Sequence, residues 1–157
     1  MMVYAVSLII PAAVLLPNLI FWRWPPQHMP SPQELQENIF LKAAEGIGRV
    51  GVMVLPLFSP VHMGNLRDIL SLTGMVVFLL LYYAGWIRYL RRDREYRWLF
   101  APMRGMPVPL AIAPVLYFAA GSAVLHSVPM LFSSLILAAG HIPASLHIYR
   151  CLTESGK

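Results

Sequence analysis

Charge is scarce in this chain. Of its 157 residues only 12% are Asp, Glu, Lys or Arg, against 58% that are hydrophobic, whereas a soluble domain carries about a quarter charged residues. That shortage, with a mean hydropathy of +0.63, excludes an ordinary water-soluble domain and points to a polytopic membrane protein. Cysteine is nearly absent: Cys151 stands alone, which excludes an internal disulfide and any cysteine-based metal cluster. There is no Gly-rich phosphate loop and no Cys-x-x-Cys. The net charge of +5 is not a nucleic-acid footprint, because six of the twelve basic residues fall between Arg88 and Arg104, beside a hydrophobic run. Such a cluster marks a cytoplasmic loop. The opening "MMVYAVSLIIPAAVLLPNLIFW" lacks the basic n-region and small-residue cleavage site of a signal peptide and reads as a retained first span.

What the chain does have is long apolar runs. A helix crossing the hydrocarbon core needs about 20 mostly apolar residues. Residues 3–22 satisfy this, and "RWPPQHMPSPQELQEN" follows as a polar, proline-rich connector. Residues 39–58 form a second candidate despite Lys42, Glu45 and Arg49, and 69–87 is the cleanest span. The apolar stretch from 107 to 149 breaks at "HSVP", residues 126–129, and reads as a helical hairpin of two spans, 107–125 and 129–149. No internal repeat, low-complexity tract or second domain interrupts residues 1–157. The sequence therefore predicts an all-α, polytopic membrane helix bundle of five transmembrane helices in a single domain. With the Arg88–Arg104 loop cytoplasmic, the N-terminus lies outside and the C-terminus, with Arg150 and Lys157, inside the plasma membrane, the inner membrane of a bacterium. The alternative is four spans, with 39–58 re-entrant or interfacial and the N-terminus inside.

Ionisable groups inside a membrane usually face a bundle interior or a watery cavity. On a helix, Asn38, Lys42, Glu45 and Arg49 fall at i, i+4, i+7 and i+11 and make one stripe. Gly48 and Gly51 beside it would let a neighbouring backbone approach closely. Other spans add Asn18 (after Pro17), Tyr82, Tyr83, Tyr117 and His141. At 1.5 Å rise per residue the five-span layout puts Asn18 roughly 6 Å, Glu45 roughly 9 Å, Tyr82 and Tyr83 about 6–8 Å and His141 about 12 Å from the cytoplasmic boundary, with Tyr117 and Arg49 at about 15 Å. Helices running in both directions thus place polar groups in the same half of the bilayer. This implies a pocket open toward the cytoplasm or inner leaflet, polar near its mouth and oily at its base.

Each group also has a plainer reading. Glu45 and Arg49 can be an i,i+4 ion pair neutralising itself in lipid, His141 a packing contact ahead of Pro143, and Asn18 a partner for backbone freed around Pro17. His147 and Tyr149 suit interfacial anchors, "RRDREYR" a topology signal that touches lipid headgroups, and the methionines gap-filling. Metal binding finds little support: His141 and His147 are i,i+6, on different helix faces, without a carboxylate at ligand spacing. Bis-His haem from two helices stays open, although His62 and His126 belong to outer loops and His141 to the inner half. No metal or cofactor is expected.

General acid chemistry fits the inventory better. A carboxyl group in a low-dielectric site keeps its proton near neutral pH and can protonate an alkene or an epoxide, although Arg49 would oppose this by favouring the carboxylate. Tyr82, Tyr83, Trp86, Tyr117 and Phe118 can stabilise a carbocation through their ring faces, and His141 or the tyrosines can tune the acid. The membrane-embedded acid in "KAAEGIGR", the aromatic "LLLYYAGW" and "PVLYFAAG", and the chain's size and multi-span character together resemble the small bacterial integral-membrane terpene cyclases that fold prenylated indole or cyclodipeptide substrates. The resemblance is one of type and covers the whole chain. It implies metal-independent, protonation-initiated cyclisation of a lipophilic farnesyl-type chain, with Glu45, Arg49, His141 and Tyr82 catalytic and Asn18, Tyr83, Trp86, Tyr117, Phe118 and Glu37 binding the substrate. It also implies an acid pair; Glu34 and Glu37 precede the span and Asp68 lies on the far side, so the second acid has no clear owner here. A carrier or small-molecule binder is the competing reading. It would be a homo-oligomer, because five spans without an inverted repeat are few for a lone transporter. A third is an accessory subunit whose charged stripe docks another helix.

Overall fold

A computed structural model describes residues 4–30 and 38–154. Glu34, Glu37 and Lys157 lie outside the described residues. Among those described, the chain is all-helical, without a strand: a 3-10 turn Ala5–Leu8 leads into α1 (Ile9–Arg23), followed by α2 (Ile39–Val54), α3 (Leu66–Arg91), α4 (Pro109–Val124) and α5 (Val128–Glu154). A 3-10 turn Leu55–Phe58 extends α2, and another, Tyr96–Leu99, lies between α3 and α4. Among the described residues three helical stretches are long and apolar enough to cross a membrane: Ala5–Arg23, Leu66–Arg91 and Val128–Glu154. α4 is apolar but shorter.

Local chemistry sets the helix ends. Asn38 caps α2 by accepting from the Phe40 N–H at 2.9 Å, and Asn65 caps α3 by accepting from Asp68 N–H at 3.0 Å, the use to which short polar side chains are put at helix starts. Pro109 opens α4 at its first position, where a missing N–H costs nothing. The α4–α5 turn is Leu125–Ser127, with His126 in the left-handed region at φ 48°.

α2 runs antiparallel along α5, α3 packs along α4, and α4 along α5, while α1 touches α3 and α4 sparingly and scarcely meets α2. The α2–α5 seam is built on glycine. A Cβ on Gly48 would collide with the backbone of Leu137, one on Gly51 with Ser133, and one on Gly140 with the backbone of Glu45 and Leu41. Small residues are what let apolar helices come this close. Phe118, Tyr89, Met130, Val52 and Val124 fill the centre.

The outside of the bundle is apolar too. Ile9, Trp22, Phe40, Leu66 and Leu80 are each at least 65% exposed. In water so much exposed hydrophobic surface would be an aggregation liability; against lipid tails it is the favoured surface.

Loop contacts sort the helix ends onto two faces. On one, the Tyr4 N–H donates to Leu57 O (2.9 Å) and the His62 N–H to Val124 O (2.9 Å), joining the N-terminus, the α2–α3 loop and the α4–α5 turn. On the other, the Gln27 N–H donates to Arg94 O (2.9 Å) and the Tyr96 N–H to Gln27 O (3.1 Å), joining the end of α1 to the basic loop.

Candidate functional site: a polar cluster in an aromatic cavity

Gly140 brings the backbones of α5 and α2 together, and the neighbouring residue, His141, meets the α2 stripe. His141 Nδ1 lies 3.1 Å from Glu45 Oε1. The same oxygen accepts a hydrogen bond from Arg49 Nη2, one turn along α2. Glu45 is thus the shared partner of an imidazole and a guanidinium, and its own side chain is 21% exposed.

This cluster borders a cavity of about 460 Å³, within the usual range for small-molecule sites. All five helices contribute to its wall: Val14, Leu15, Asn18 and Phe21 from α1; Arg49 and Met53 from α2; Tyr82 and Trp86 from α3; Leu110, Ala111, Pro114 and Phe118 from α4; Leu137, His141 and Ser145 from α5. Leu99 and Phe100 close it from the basic loop.

Of the residues singled out from the sequence, Asn18, Arg49, Tyr82, Trp86, Phe118 and His141 share this lining, and Glu45 stands directly behind His141. The Tyr82 hydroxyl lies 3.4 Å from Asn18 Oδ1 and 3.4 Å from Val14 O, while Asn18 Nδ2 donates to Val14 O at 3.3 Å. Tyr82 and Trp86 meet edge to face with centroids 6.3 Å apart.

Tyr83 and Tyr117 stand outside the lining. The Tyr83 hydroxyl donates to Ala13 O at 2.8 Å, the carbonyl that Pro17, lacking an N–H, leaves free four residues earlier in α1. The Tyr117 hydroxyl donates to Ile10 O at 3.1 Å. Both phenols hold α1 to the bundle rather than facing the cavity. Lys42 and Asn38, the remaining members of the α2 stripe, do not line it either.

Met53, Ser145, Leu99 and Phe100 are among the lining residues that sequence reasoning did not reach. Ser145, four residues after His141 on the same face, carried a usable signal; the loop pair did not.

A second polar group sits at the opposite end of the bundle. Asp68, 1% exposed, takes the Gly64 N–H at 3.1 Å and lies 2.8 Å from His126 Nε2. The His126 ring stacks on His62 at 4.2 Å. This cluster ties the α2–α3 loop to the α4–α5 turn and lies apart from the cavity lining.

No family model matches the chain, and no similar curated protein or solved structure was found. The functional reading therefore rests on the geometry above.

Proposed function

We propose that the chain is an integral membrane protein of five crossings whose cavity is the active site of an acid–base enzyme for a lipophilic, prenyl-chain substrate, of the terpene-cyclase type. The observation that carries it is the Glu45–Arg49–His141 cluster set against the rings of Tyr82, Trp86 and Phe118 in one cavity. Five crossings are supported by the pairing of α2 with α5 along its length, because a helix seated on a spanning partner crosses with it. Arg23, Arg88–Arg104 and Arg150 share one face of the bundle and Arg67 stands at the other, which supports a cytoplasmic assignment for the first.

The contacts also redistribute the chemical roles. Glu45 engages both the Arg49 guanidinium and the His141 imidazole through one oxygen, so Glu45 serves as the orienting partner and His141 as the group that moves the proton. With Nδ1 donating to Glu45, Nε2 is left for the cavity, and the proton the reaction needs is the one an imidazolium carries there. Protonation of an epoxide oxygen by that imidazolium would generate cationic character beside the aromatic rings, which stabilise it.

Membranes carrying the protein should convert a farnesylated indole, or its terminal epoxide, to a cyclised isomer detected by mass spectrometry. His141→Gln should lower the rate at least about a hundred-fold, the usual worth of a positioned acid or base, and Glu45→Gln should follow it. Full conversion by His141→Gln overturns the assignment. The ion-paired state of Glu45 also favours a second reading, a carrier that binds the same molecule without changing it. Saturable binding with no product, and vesicle uptake lost in Arg49→Ala, would establish that reading instead.

A further inference from the structure

The far end of α3 carries a second recess that the proposed reaction does not use. Ala84, Ile87, Arg88, Arg91 and Arg92 line an open groove of about 350 Å³. Val76, Leu80, Ala84, Ile87 and Arg91 follow one another at helical spacing along a single stripe of α3. Leu80 is 65% and Ile87 49% exposed, so an apolar track runs down the outward surface of the helix and ends on a guanidinium. At 1.5 Å per residue a helix of this length reaches about 39 Å, longer than the hydrocarbon core of about 30 Å. Its last turn therefore emerges among headgroups.

The charge at this mouth is uncompensated. Arg88 donates from Nη1 to Pro102 O (2.8 Å) and from Nη2 to Trp98 O (3.0 Å) and Ala101 O (2.6 Å). These acceptors are neutral and leave its full charge in place, and its Nε has no acceptor. Arg92 lies over the Trp98 ring, 4.9 Å from the centroid. Glu95 is occupied by Arg97 at 2.6 Å. Asp93, the other acid of the loop, is exposed and forms no ion pair with Arg91 or Arg92 among the described residues.

We propose that this groove binds an anionic phospholipid of the adjoining leaflet. Its phosphate is held by Arg91 and Arg92 with Arg88 behind them, and one acyl chain lies over Ile87, Ala84 and Leu80. Chemistry selects the occupant: guanidiniums at headgroup depth call for phosphate, and the track leading from them toward the bilayer centre calls for hydrocarbon. A free phosphate would make no use of the track.

The test is titration of the purified full chain, in neutral detergent, with a fluorescent phosphatidylglycerol, using phosphatidylcholine of the same acyl chains as reference. A guanidinium near an anionic surface strengthens binding roughly five-fold, so Arg91→Gln with Arg92→Gln should weaken phosphatidylglycerol about twenty-five-fold and leave phosphatidylcholine unchanged. Ile87→Trp, which fills the groove without altering charge, should also weaken it, and this variant decides the matter if the double variant fails to fold. Arg150→Gln, on the same face of the bundle, should have no effect. Unchanged affinity in the double variant or in Ile87→Trp, or an equal loss in Arg150→Gln, overturns the site. Inorganic phosphate at 5 mM (about the concentration used for such competitions), matched with chloride for ionic strength, should not compete. If it does, the groove takes the free anion and the lipid assignment fails.

Discussion

Pro17 removes one N–H from α1, and the role of Tyr83 follows from that loss. The Ala13 carbonyl has no helical donor, and in an apolar surrounding an unpaired carbonyl costs about 1–3 kcal/mol. The Tyr83 hydroxyl supplies the missing hydrogen bond at 2.8 Å. Tyr83→Phe should therefore destabilise the protein by about 1–2 kcal/mol, the range for hydrogen bonds between membrane helices. The same change in a Pro17→Ala background should cost almost nothing, because an alanine in place of the proline restores the backbone donor. A double-mutant cycle in thermal unfolding measures this coupling directly, and additive losses would show that Tyr83 acts elsewhere. The same residue-level accounting separates Tyr82 from its neighbour: its hydroxyl lies at 3.4 Å from Asn18 and Val14, on the cavity wall, where a ligand can compete for it.

At the level of the helix pair, the site depends on how closely α2 and α5 approach. The position a Gly140 Cβ would occupy is already filled by the backbone of Glu45 and Leu41, whereas a Cβ on Gly46 meets nothing within 4 Å. Gly140→Ala must push the helices apart, and overpacking of this kind costs about 1–3 kcal/mol. It should also break the 3.1 Å approach of His141 to Glu45 and with it any turnover, while Gly46→Ala leaves both stability and activity intact. Unfolding temperatures and conversion assays on the two variants provide the comparison. This seam marks what was legible in the sequence. The polar stripe Asn38–Lys42–Glu45–Arg49 is local periodicity, the glycines beside it announce a close neighbour, and Asn18, Tyr82 and His141 could be placed toward the same end of the bundle by counting residues. Which helix the stripe meets could not be read, because Glu45 and His141 are 96 residues apart and their register is fixed by steric fit between helices rather than by either helix alone. Leu99 and Phe100 were illegible for another reason: they come from a short 3-10 turn inside a basic loop, where no periodic pattern assigns a direction to a side chain. Tyr83 and Tyr117 share the depth of the cavity residues, so depth alone could not tell wall from brace.

For the whole molecule the open variable is α2. Lys42, Glu45 and Arg49 make it a poor span by itself, since each charged residue near a helix centre opposes insertion by about 2.5–3.5 kcal/mol. Pairing offsets that cost: Arg49 and His141 both engage Glu45, and the partner helix α5 is apolar enough to cross. In the proposed five-crossing layout α2 is a conditional span, one that needs α5 beside it. Five crossings place the end of α1 and the basic loop together on the cytoplasmic side and the α2–α3 loop outside; four crossings with α2 re-entrant put both connectors of α2 outside. The lone Cys151 makes the distinction measurable. In a Cys151→Ser background, Met29→Cys and Met63→Cys each carry one thiol at a site that is 58% or 60% exposed. A membrane-impermeant maleimide applied to intact cells should label the residue-63 thiol and spare the residue-29 thiol, which should react only after the membrane is opened. Labelling of the residue-29 thiol from outside would overturn the five-crossing layout, and with it the placement of Glu45 beside His141 at a common depth in the bilayer.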